Sequence, residues 1–287
     1  MRSIDISVII PTFRRERTLL EAIGSVLSQR GVTFEIIVVD DSPEGSARSA
    51  VQTVVDSRIT YLPRTRASGG RPALVRNDGA KIAQGRYLHF LDDDDMLEPE
   101  ALATLSRALD TQPAAGIAFG AVEPFGLEAI RLEHNQKYFK EARRIAAHLR
   151  GGYQLSAVLL FLPAVLITSA CMTRREAFVA FGGFDGQIPV CEDTDLWARI
   201  AHATDFVFVD QPVVRYRTGA PSLMHNLAED DEKLHISYSL IQSKYRRNHG
   251  VLRFLAMKFW ARAVLRWQIE YHATPCFERR GAIELAD

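Results

Sequence analysis

The first 110 residues alternate between short apolar runs and amphipathic segments, and this alternation restricts the fold more than any other feature. Four runs rich in β-branched and aliphatic residues, at positions 6–10, 34–39, 59–62 and 87–91, are typical of strands covered on both faces. Segments with helical spacing separate these runs, and the connections are short. Such an order implies right-handed crossovers. We therefore predict an α/β fold with a mostly parallel, Rossmann-like central sheet flanked by helices.

Two of the predicted strands end in acidic clusters. Asp40 and Asp41 end the second strand, and four consecutive aspartates at positions 92–95 follow the fourth. Parallel strands end at one edge of a sheet, so both clusters are expected where α/β proteins bind ligands. Four adjacent carboxylates repel one another, and Mg²⁺ or Mn²⁺ together with diphosphate oxygens would relieve that repulsion. A solvated acidic turn that caps the next helix is the alternative for residues 92–95.

The composition excludes some classes of protein. The 35 lysines and arginines balance the 35 aspartates and glutamates, and 47% of the residues are hydrophobic, which indicates a globular protein and argues against a nucleic-acid binder. Three cysteines are too few for a disulfide framework, which fits a reducing cytoplasm. The apolar stretch at 155–172 is interrupted by Pro163, so we expect core strand and loop there rather than a membrane span. The predicted location is cytoplasmic, with the inner face of the cell membrane as the place of any membrane contact.

Five motifs together resemble the glycosyltransferases of family 2. They occur in that family's order: SVIIPTF at 7–13, VVDD at 38–41, RNDG at 76–79, FLDDDD at 90–95 and EDTDLW at 192–197. The resemblance implies a GT-A fold.

It also implies a division of the chain into parts. A catalytic domain would cover residues 1–226, with a nucleotide-sugar-binding half at 1–110 and an acceptor-binding half at 111–226. A helical C-terminal extension would follow at 227–287.

The resemblance implies a set of residues that bind the nucleotide sugar. Asp41 would hydrogen-bond the base and Asp93 would reach the ribose. Arg71 and Arg76 would neutralise the diphosphate, and a plain surface role is the alternative for both arginines. The full set is Pro11, Thr12, Phe13, Arg15, Asp41, Arg71, Arg76, Asp92 and Asp93.

Metal binding and proton transfer are implied for two further groups of carboxylates. The Asp92–Asp94 segment is similar to the family's DxD motif, in which Asp94 would bind the metal and Asp92 would assist. Asp193 resembles the catalytic base, with Glu192 as its orienting or acceptor-binding neighbour. Such a base takes the proton of the acceptor hydroxyl while that oxygen attacks the anomeric carbon opposite the leaving nucleotide. Helix capping is the alternative for this acidic pair.

The activity implied by the resemblance is a metal-dependent, inverting glycosyl transfer. The donor would be a nucleotide-diphosphate sugar, UDP-linked by default, and the acceptor a glycan or lipid-linked glycan of cell-surface polysaccharide or glycoconjugate synthesis. A sugar-phosphate nucleotidyltransferase is one alternative, but it would carry a Gly-rich loop after the first strand, where residues 11–15 have no glycine. A nucleotide-sugar-binding protein without turnover is the other, and the intact Asp92, Asp94 and Asp193 count against it.

A basic segment lies near the C-terminus. Residues 241–270 carry seven lysines and arginines but one acidic residue, Glu270, with leucines, phenylalanine and tryptophans between them. This pattern predicts an amphipathic helix, which could lie on an anionic membrane surface beside a lipid-linked acceptor. The alternative is a helical extension that packs on the catalytic domain or on a second subunit of a homo-oligomer.

Overall fold

A computed structural model describes residues 4–162, 165–219 and 231–272, without the side chains of residues 231 and 264–272. The strands are β1 (Ile6–Thr12), β2 (Phe34–Asp40), β3 (Ile59–Pro63), β4 (Tyr87–Phe90), β5 (Met96–Leu97), β6 (Ala115–Phe125), β7 (Cys171–Arg174) and β8 (Asp205–Arg217). The helices are α1 (Glu16–Leu27), α2 (Arg48–Gln52), α3 (Pro72–Ile82), α4 (Ala101–Thr111), α5 (Ala129–His148), α6 (Gly152–Phe161), α7 (Arg175–Ala180), α8 (Glu192–Ala203), α9 (Asp231–His249) and α10 (Val251–His272). A 3-10 turn at Thr168–Ala170 precedes β7.

The strands form one sheet in the order β3-β2-β1-β4-β7-β6-β8-β5. The first four strands of this order are parallel, as predicted. The sheet as a whole is mixed, because β7 is antiparallel to both β4 and β6, and β5 is antiparallel to β8. Since β8 is parallel to β6, it runs in the same direction as β1 and β4. The carboxyl ends of β1, β2, β4 and β8 therefore share one edge with the amino end of β7.

Both faces of the sheet are covered by helices. Alternate residues of β1 enter two different hydrophobic clusters, Val8 and Ile10 on the face of α1 and Ile9 on the face of α3. All three side chains are fully buried. Strands that helices cover on both faces need apolar residues at successive positions, and this packing explains the continuous apolar run of β1.

The apolar stretch at 155–172 differs from its prediction as strand and loop. Residues 152–161 form α6, and strand begins only at Cys171. Leu155 to Leu160 are all buried, and a helix buried on every side has no amphipathic period to distinguish it from a strand. Within the described ranges, no helix is both long and apolar enough to cross a membrane.

The C-terminal helices pack on the rest of the fold. Ile241 and Tyr245 of α9 and Met257 and Ala261 of α10 belong to the same hydrophobic cluster as α6 and α8. Lys244 Nζ lies 2.7 Å from a carboxylate oxygen of Asp185 and 3.1 Å from one of Asp195 in α8. Packing on the preceding part of the chain, which belongs to one of the two alternatives for this segment, is therefore observed. The predicted domain boundary at 226/227 lies outside the described residues and stays a prediction.

One glycine lies at a close contact between α6 and α8. A Cβ atom on Gly152 would collide with the backbone oxygens of Ala201 and Thr204. We expect Gly152→Ala to lower the unfolding free energy by about 2 kcal/mol or more, because backbone on the other side cannot move aside cheaply. Gly24→Ala is the control, since nothing lies within 4 Å of a Cβ there and α1 should gain about 0.5–1 kcal/mol. Urea unfolding measures both, and a stable Gly152→Ala protein would contradict this packing.

A buried histidine in β4 makes stability depend on pH. His89 is fully buried, and neither ring nitrogen has a hydrogen-bond partner among the described residues. Burial lowers the pKa of His89 from 6.5 to about 4. Below pH 6.5 the unfolded chain thus binds a proton that the folded chain excludes, and acid removes stability.

Replacing His89 by leucine is expected to remove this acid sensitivity. Between pH 7 and pH 5 the wild type should lose about 2 kcal/mol of unfolding free energy relative to His89→Leu. Urea unfolding of both proteins at the two pH values measures how the unfolding free energy of each depends on pH. The carboxylates are the same in both proteins, so their contribution cancels when the two are compared. Equal pH dependence in the two proteins would show that His89 titrates as it does in water.

Candidate active site

The end of β1 is joined to the acidic turn after β4. Thr12 Oγ1 donates a hydrogen bond of 2.7 Å to Asp93, although 81 residues separate them. Arg15 Nη1 lies 3.1 Å from Asp93 Oδ1 and 2.7 Å from Asp94 Oδ2. The chain reaches this position through Arg14, which has a φ of 54°, a conformation that non-glycine residues seldom adopt. The first predicted motif and the DxD-like motif therefore lie side by side.

The acidic residues 92–95 form a tight turn with alternating exposure. Asp95 N donates to Asp92 O at 3.1 Å, which closes the turn. Asp93 and Asp95 are buried, whereas 38% of the Asp92 side chain and 14% of the Asp94 side chain are exposed. The two aspartates that a ligand can reach are thus the first and third of the motif.

Side chains and backbone from two later strands brace this turn. Asp92 N donates to Ser169 Oγ at 3.1 Å, just before β7. At the end of β8, Arg217 N donates to Asp95 Oδ1 at 3.1 Å and Arg217 Nε donates to Asp94 O at 2.9 Å. The carboxyl end of β8 and the amino end of β7 supply these contacts because both lie at the same sheet edge.

The predicted repulsion among these carboxylates is visible in their pKa values. Burial raises the pKa of Asp93 to about 7, although the Arg15 guanidinium opposes the change. Burial and the charge of Asp92 raise the pKa of Asp94, and burial and the charge of Asp94 raise the pKa of Asp95 well above its usual range. A cation bound at the turn would favour the ionised forms.

The chemistry of the turn suits a metal held jointly with a substrate. In the described ranges, no group of three or more His, Cys, Asp or Glu side chains is arranged to hold a metal ion by itself. Asp92 and Asp94 offer hard carboxylate oxygens on the exposed side of the turn. Mg²⁺ and Mn²⁺ are commonly bound by one or two carboxylates together with phosphate oxygens, so the residues fit such an ion.

Arg76 connects the acidic turn to α8. It is buried on α3, and its two Nη atoms bond different carboxylates: Nη2 donates to Asp92 Oδ1 at 2.6 Å, and Nη1 donates to Glu192 Oε1. The remaining donor, Nε, is buried without a partner among the described residues. Burial alone would lower the pKa of Arg76, but the charges of Asp92 and Glu192 outweigh burial and raise it. The guanidinium stays charged and holds the two elements together.

The first turn of α8 carries the predicted base. Cys191, just before the helix, has a φ of 59°, which is strained for a side-chain-bearing residue. Glu192 is 3% exposed, and burial raises its pKa to about 7 despite Arg76. Asp193 is half-buried, accepting hydrogen bonds from Thr168 Oγ1 at 2.8 Å and from Thr194 N at 2.7 Å. Of the acidic pair, Asp193 is therefore the one that a substrate can approach.

The two aspartates at the end of β2 have different partners. Asp40 accepts from Ser42, from Ala47 N and from Tyr61 Oη, so it holds the following turn. Asp41 accepts from Arg64 Nη1 at 2.5 Å and from both the backbone N and the hydroxyl of Ser68, at 2.7 and 2.6 Å. Asp41 thus belongs to a polar cluster with Arg64 and Ser68 at the same edge.

Three predicted residues lie near the site without a side-chain link to it. Phe13 is 46% exposed, and the Cζ atom of Arg14 lies 5.1 Å from the centroid of its ring. Pro11 is half-buried in β1, and the Arg71 side chain is exposed, with no hydrogen bond or ion pair among the described residues. The structure therefore unites Thr12, Arg15, Arg76, Asp92, Asp93, Asp94 and Glu192 directly, with Asp193 beside them.

Sequence reasoning did not select several side chains of the site. They are Arg64, Ser68, Thr168, Ser169 and Arg217. Arg217 could have been found if the strand at 205–217 had been recognised as parallel to β1, because its last residue then lies at the ligand-binding edge. Thr168 and Ser169, in the 3-10 turn before β7, carry no local sequence signal for the site, because their position depends on an antiparallel pairing between distant segments.

Comparisons with known proteins agree with this geometry. The profile of the family described as "Glycosyl transferase family 2" matches residues 7–181. The uncharacterized protein MT1568 of Mycobacterium tuberculosis is 30% identical over 227 residues, which cover 75% of this chain and 68% of that protein. The GalNAc(5)-diNAcBac-PP-undecaprenol beta-1,3-glucosyltransferase of Campylobacter jejuni is 41% identical over 104 residues, which cover 36% of this chain and 33% of that enzyme. The chain thus spans about a third of that glucosyltransferase.

Solved structures share the fold at low sequence identity. A crystal structure of S. aureus TarS in complex with UDP-GlcNAc has a TM-score of 0.64 at 16% identity, covering 93% of this chain and 73% of that one. The mannosyltransferase PcManGT from Pyrobaculum calidifontis, in complex with GDP-Man and Mn²⁺, has a TM-score of 0.60 at 17% identity, covering 94% and 76%. The predicted GT-A fold is confirmed.

The family match decides among the three activities considered from the sequence. A glycosyltransferase that acts on nucleotide sugars agrees with the matched profile and with the named enzymes among the relatives. The profile covers more than half of the chain. The chain therefore belongs to glycosyl transferase family 2.

Proposed function

We propose that this glycosyltransferase is metal-dependent and inverting, and that it transfers a sugar from a UDP-sugar to a lipid-linked glycan in polysaccharide or glycoconjugate synthesis. The observation that carries the proposal is the pair of bonds made by Arg76. They bring the acidic turn after β4 and the first turn of α8 to one sheet edge. A donor diphosphate and an acceptor base must meet in this way for direct transfer.

The donor site is proposed at the ends of β1, β2 and β4. Asp94 and Asp92 would hold Mn²⁺ or Mg²⁺, which would stabilise the negative charge that develops on the departing diphosphate. Asp93 is buried, accepts a hydrogen bond from Thr12 and pairs with Arg15. The ribose contact that the resemblance implies for Asp93 would therefore require this residue to become more exposed when the donor binds. The exposed Arg71 remains available to the diphosphate.

The base of the nucleotide would lie beside Asp41, with Pro11, Thr12 and Phe13 as neighbours. Arg64 and Ser68 hold the Asp41 carboxylate in place. Residues 1–110 would thus form the nucleotide-sugar-binding half of a catalytic domain over 1–226, and 111–226 the acceptor-binding half.

Asp193 is proposed as the base that accepts the proton of the acceptor hydroxyl. It is more accessible than Glu192, and the hydrogen bond from Thr168 fixes one of its oxygens. Glu192 is occupied by Arg76 and is better suited to orient the site. Arg76 is buried between two carboxylates, so it would position the metal side and the base side rather than bind the diphosphate.

The acceptor class rests on the relatives and not on a motif of this chain. The Campylobacter enzyme is named for an undecaprenol-linked glycan, and the two chains align over about a third of that enzyme. We propose the same acceptor class here. A cytoplasmic location would suit these substrates, and both described cysteines, Cys171 and Cys191, are free.

Replacing the proposed base tests the mechanism. Asp193→Asn keeps the shape of the side chain but removes its basicity, so the transfer rate kcat should fall about 10²- to 10⁴-fold while UDP affinity stays within about twofold. Transfer assays together with calorimetric UDP titration separate the two quantities. Asp210→Asn, at an exposed aspartate paired with Arg143, is the control and should keep full activity.

The paired variant Glu192→Gln distinguishes the two acids of α8. It should weaken metal-dependent donor binding as well as the rate, because Arg76 loses one of its two carboxylates. Full transfer by Asp193→Asn would remove the base assignment, and a Glu192→Gln protein with intact donor binding but no transfer would move the assignment to Glu192.

Thermal unfolding with nucleotides tests the donor site. UDP, GDP, dTDP and CDP are each added with and without Mn²⁺, and UDP with Mn²⁺ is expected to raise Tm most. Saturation at about a hundred times Kd corresponds to about 2.7 kcal/mol of stabilisation. Asp94→Asn should abolish the manganese-dependent part, whereas Asp210→Asn should retain it. If no nucleotide shifts Tm, the acidic turn is not a nucleotide–metal site.

A further inference from the structure

Helix α10 has one packed face and one bare apolar face. Leu252, Leu255 and Phe259 are 85%, 52% and 76% exposed, and their spacing of three and four residues places them on one side of the helix. Met257 and Ala261 lie on the other side and are fully buried. The helix is therefore anchored to the fold through one face and presents a continuous apolar stripe on the other.

Basic side chains lie near this stripe. At 100° per residue, Lys258 and Arg262 lie along the side next to Leu255, whereas Arg253 is exposed about 100° beyond Leu252 on the other side. Within the described ranges, no ion pair is found for any of these three cations. Four basic residues of α5 differ, since Arg131, Lys137, Arg143 and Arg144 each pair with an acidic side chain. The charge on α10 is therefore available to an external partner.

We propose that α10 is a docking surface for an anionic membrane, formed by Leu252, Leu255 and Phe259 with the cations Arg253, Lys258 and Arg262. An apolar stripe flanked by cations matches the boundary between acyl chains and anionic headgroups, where long basic side chains extend to the phosphates. The helix would lie in the plane of the surface.

A second copy of the chain fits this face less well. A two-fold contact through the stripe would bring the same cations of both copies close together, and like charges at an interface oppose association. An anionic membrane supplies the opposite charge. The inference deepens the proposed function, since a lipid-linked acceptor lies in a membrane, but it can be measured without donor or acceptor.

Sedimentation of the 287-residue chain with vesicles tests the proposal. Vesicles of phosphatidylcholine alone are compared with vesicles that also contain phosphatidylglycerol, at low and high salt. The wild type should co-sediment with the anionic vesicles at low salt, and binding should weaken as salt screens the cations.

Two variants separate the apolar and the charged contributions. Leu252→Ser with Phe259→Ser should lower the vesicle affinity at least tenfold, whereas the matched pair Val55→Ser with Leu127→Ser, at exposed apolar residues elsewhere, should not. Replacing Arg253, Lys258 and Arg262 by glutamine should lower it on the order of 100-fold. Replacing the exposed Arg30, Arg107 and Arg175 by glutamine gives the same change in net charge and is the control.

Three results would overturn the inference. The first is absence of binding to either kind of vesicle. The second is an affinity that is the same for neutral and anionic vesicles and is unchanged by the triple glutamine substitution. The third is a change of oligomeric state, measured by light scattering, in the Leu252/Phe259 variant without a change in vesicle binding, which would assign the stripe to a second copy. A manganese-dependent UDP shift in a protein that does not bind vesicles would leave the proposed function intact and remove only this inference.

Discussion

The two carboxylate bonds of Arg76 are the interaction on which the site depends. They connect the end of β4 with the start of α8, and Arg76 and Glu192 are 116 residues apart in the chain. A buried guanidinium is costly unless it is paired, and removing one partner of a buried pair leaves an uncompensated charge. The acidic turn after β4 and the first turn of α8 are thus held at a fixed separation by electrostatics, whereas packing holds the sheet beneath them.

The part of the site at the ends of β1, β2 and β4 could be predicted from the sequence because its signals are local. β1, β2 and β4 are apolar runs, and Thr12, Asp41 and Asp92 lie at or just after their carboxyl ends. The rule that parallel strands share a carboxyl edge brings these residues together. The structure places Thr12 against Asp93 as that rule requires.

The contributions of α6, of the residues before β7 and of Arg76 could not be predicted, because they depend on contacts between segments that are distant in the sequence. Residues 155–160 of α6 are buried on all sides of the helix, so no amphipathic period identifies it, and the strand after it is short. Thr168 and Ser169 reach the site only because β7 runs against its two neighbours. The shared use of Arg76 by Asp92 and Glu192 depends on side-chain burial, which no spacing in the sequence reveals.

Arg217 has a consequence for the order in which the site can form. Its hydrogen bonds to Asp94 and Asp95 span more than 120 residues of sequence. Its backbone N–H donates to the carboxylate of Asp95, which is buried. During synthesis the acidic turn therefore leaves the ribosome long before Arg217, the last residue in the chain that donates hydrogen bonds to it in the described structure. The early strands can pair while the chain is still growing, and Arg15 and Arg76 can already pair with Asp92, Asp93 and Asp94. The Asp95 carboxylate, however, lacks its backbone donor from Arg217 until β8 has been made. Completion of the acidic turn is therefore a late event in folding, and a nascent chain that stops before residue 217 lacks the contacts that brace Asp94 and Asp95.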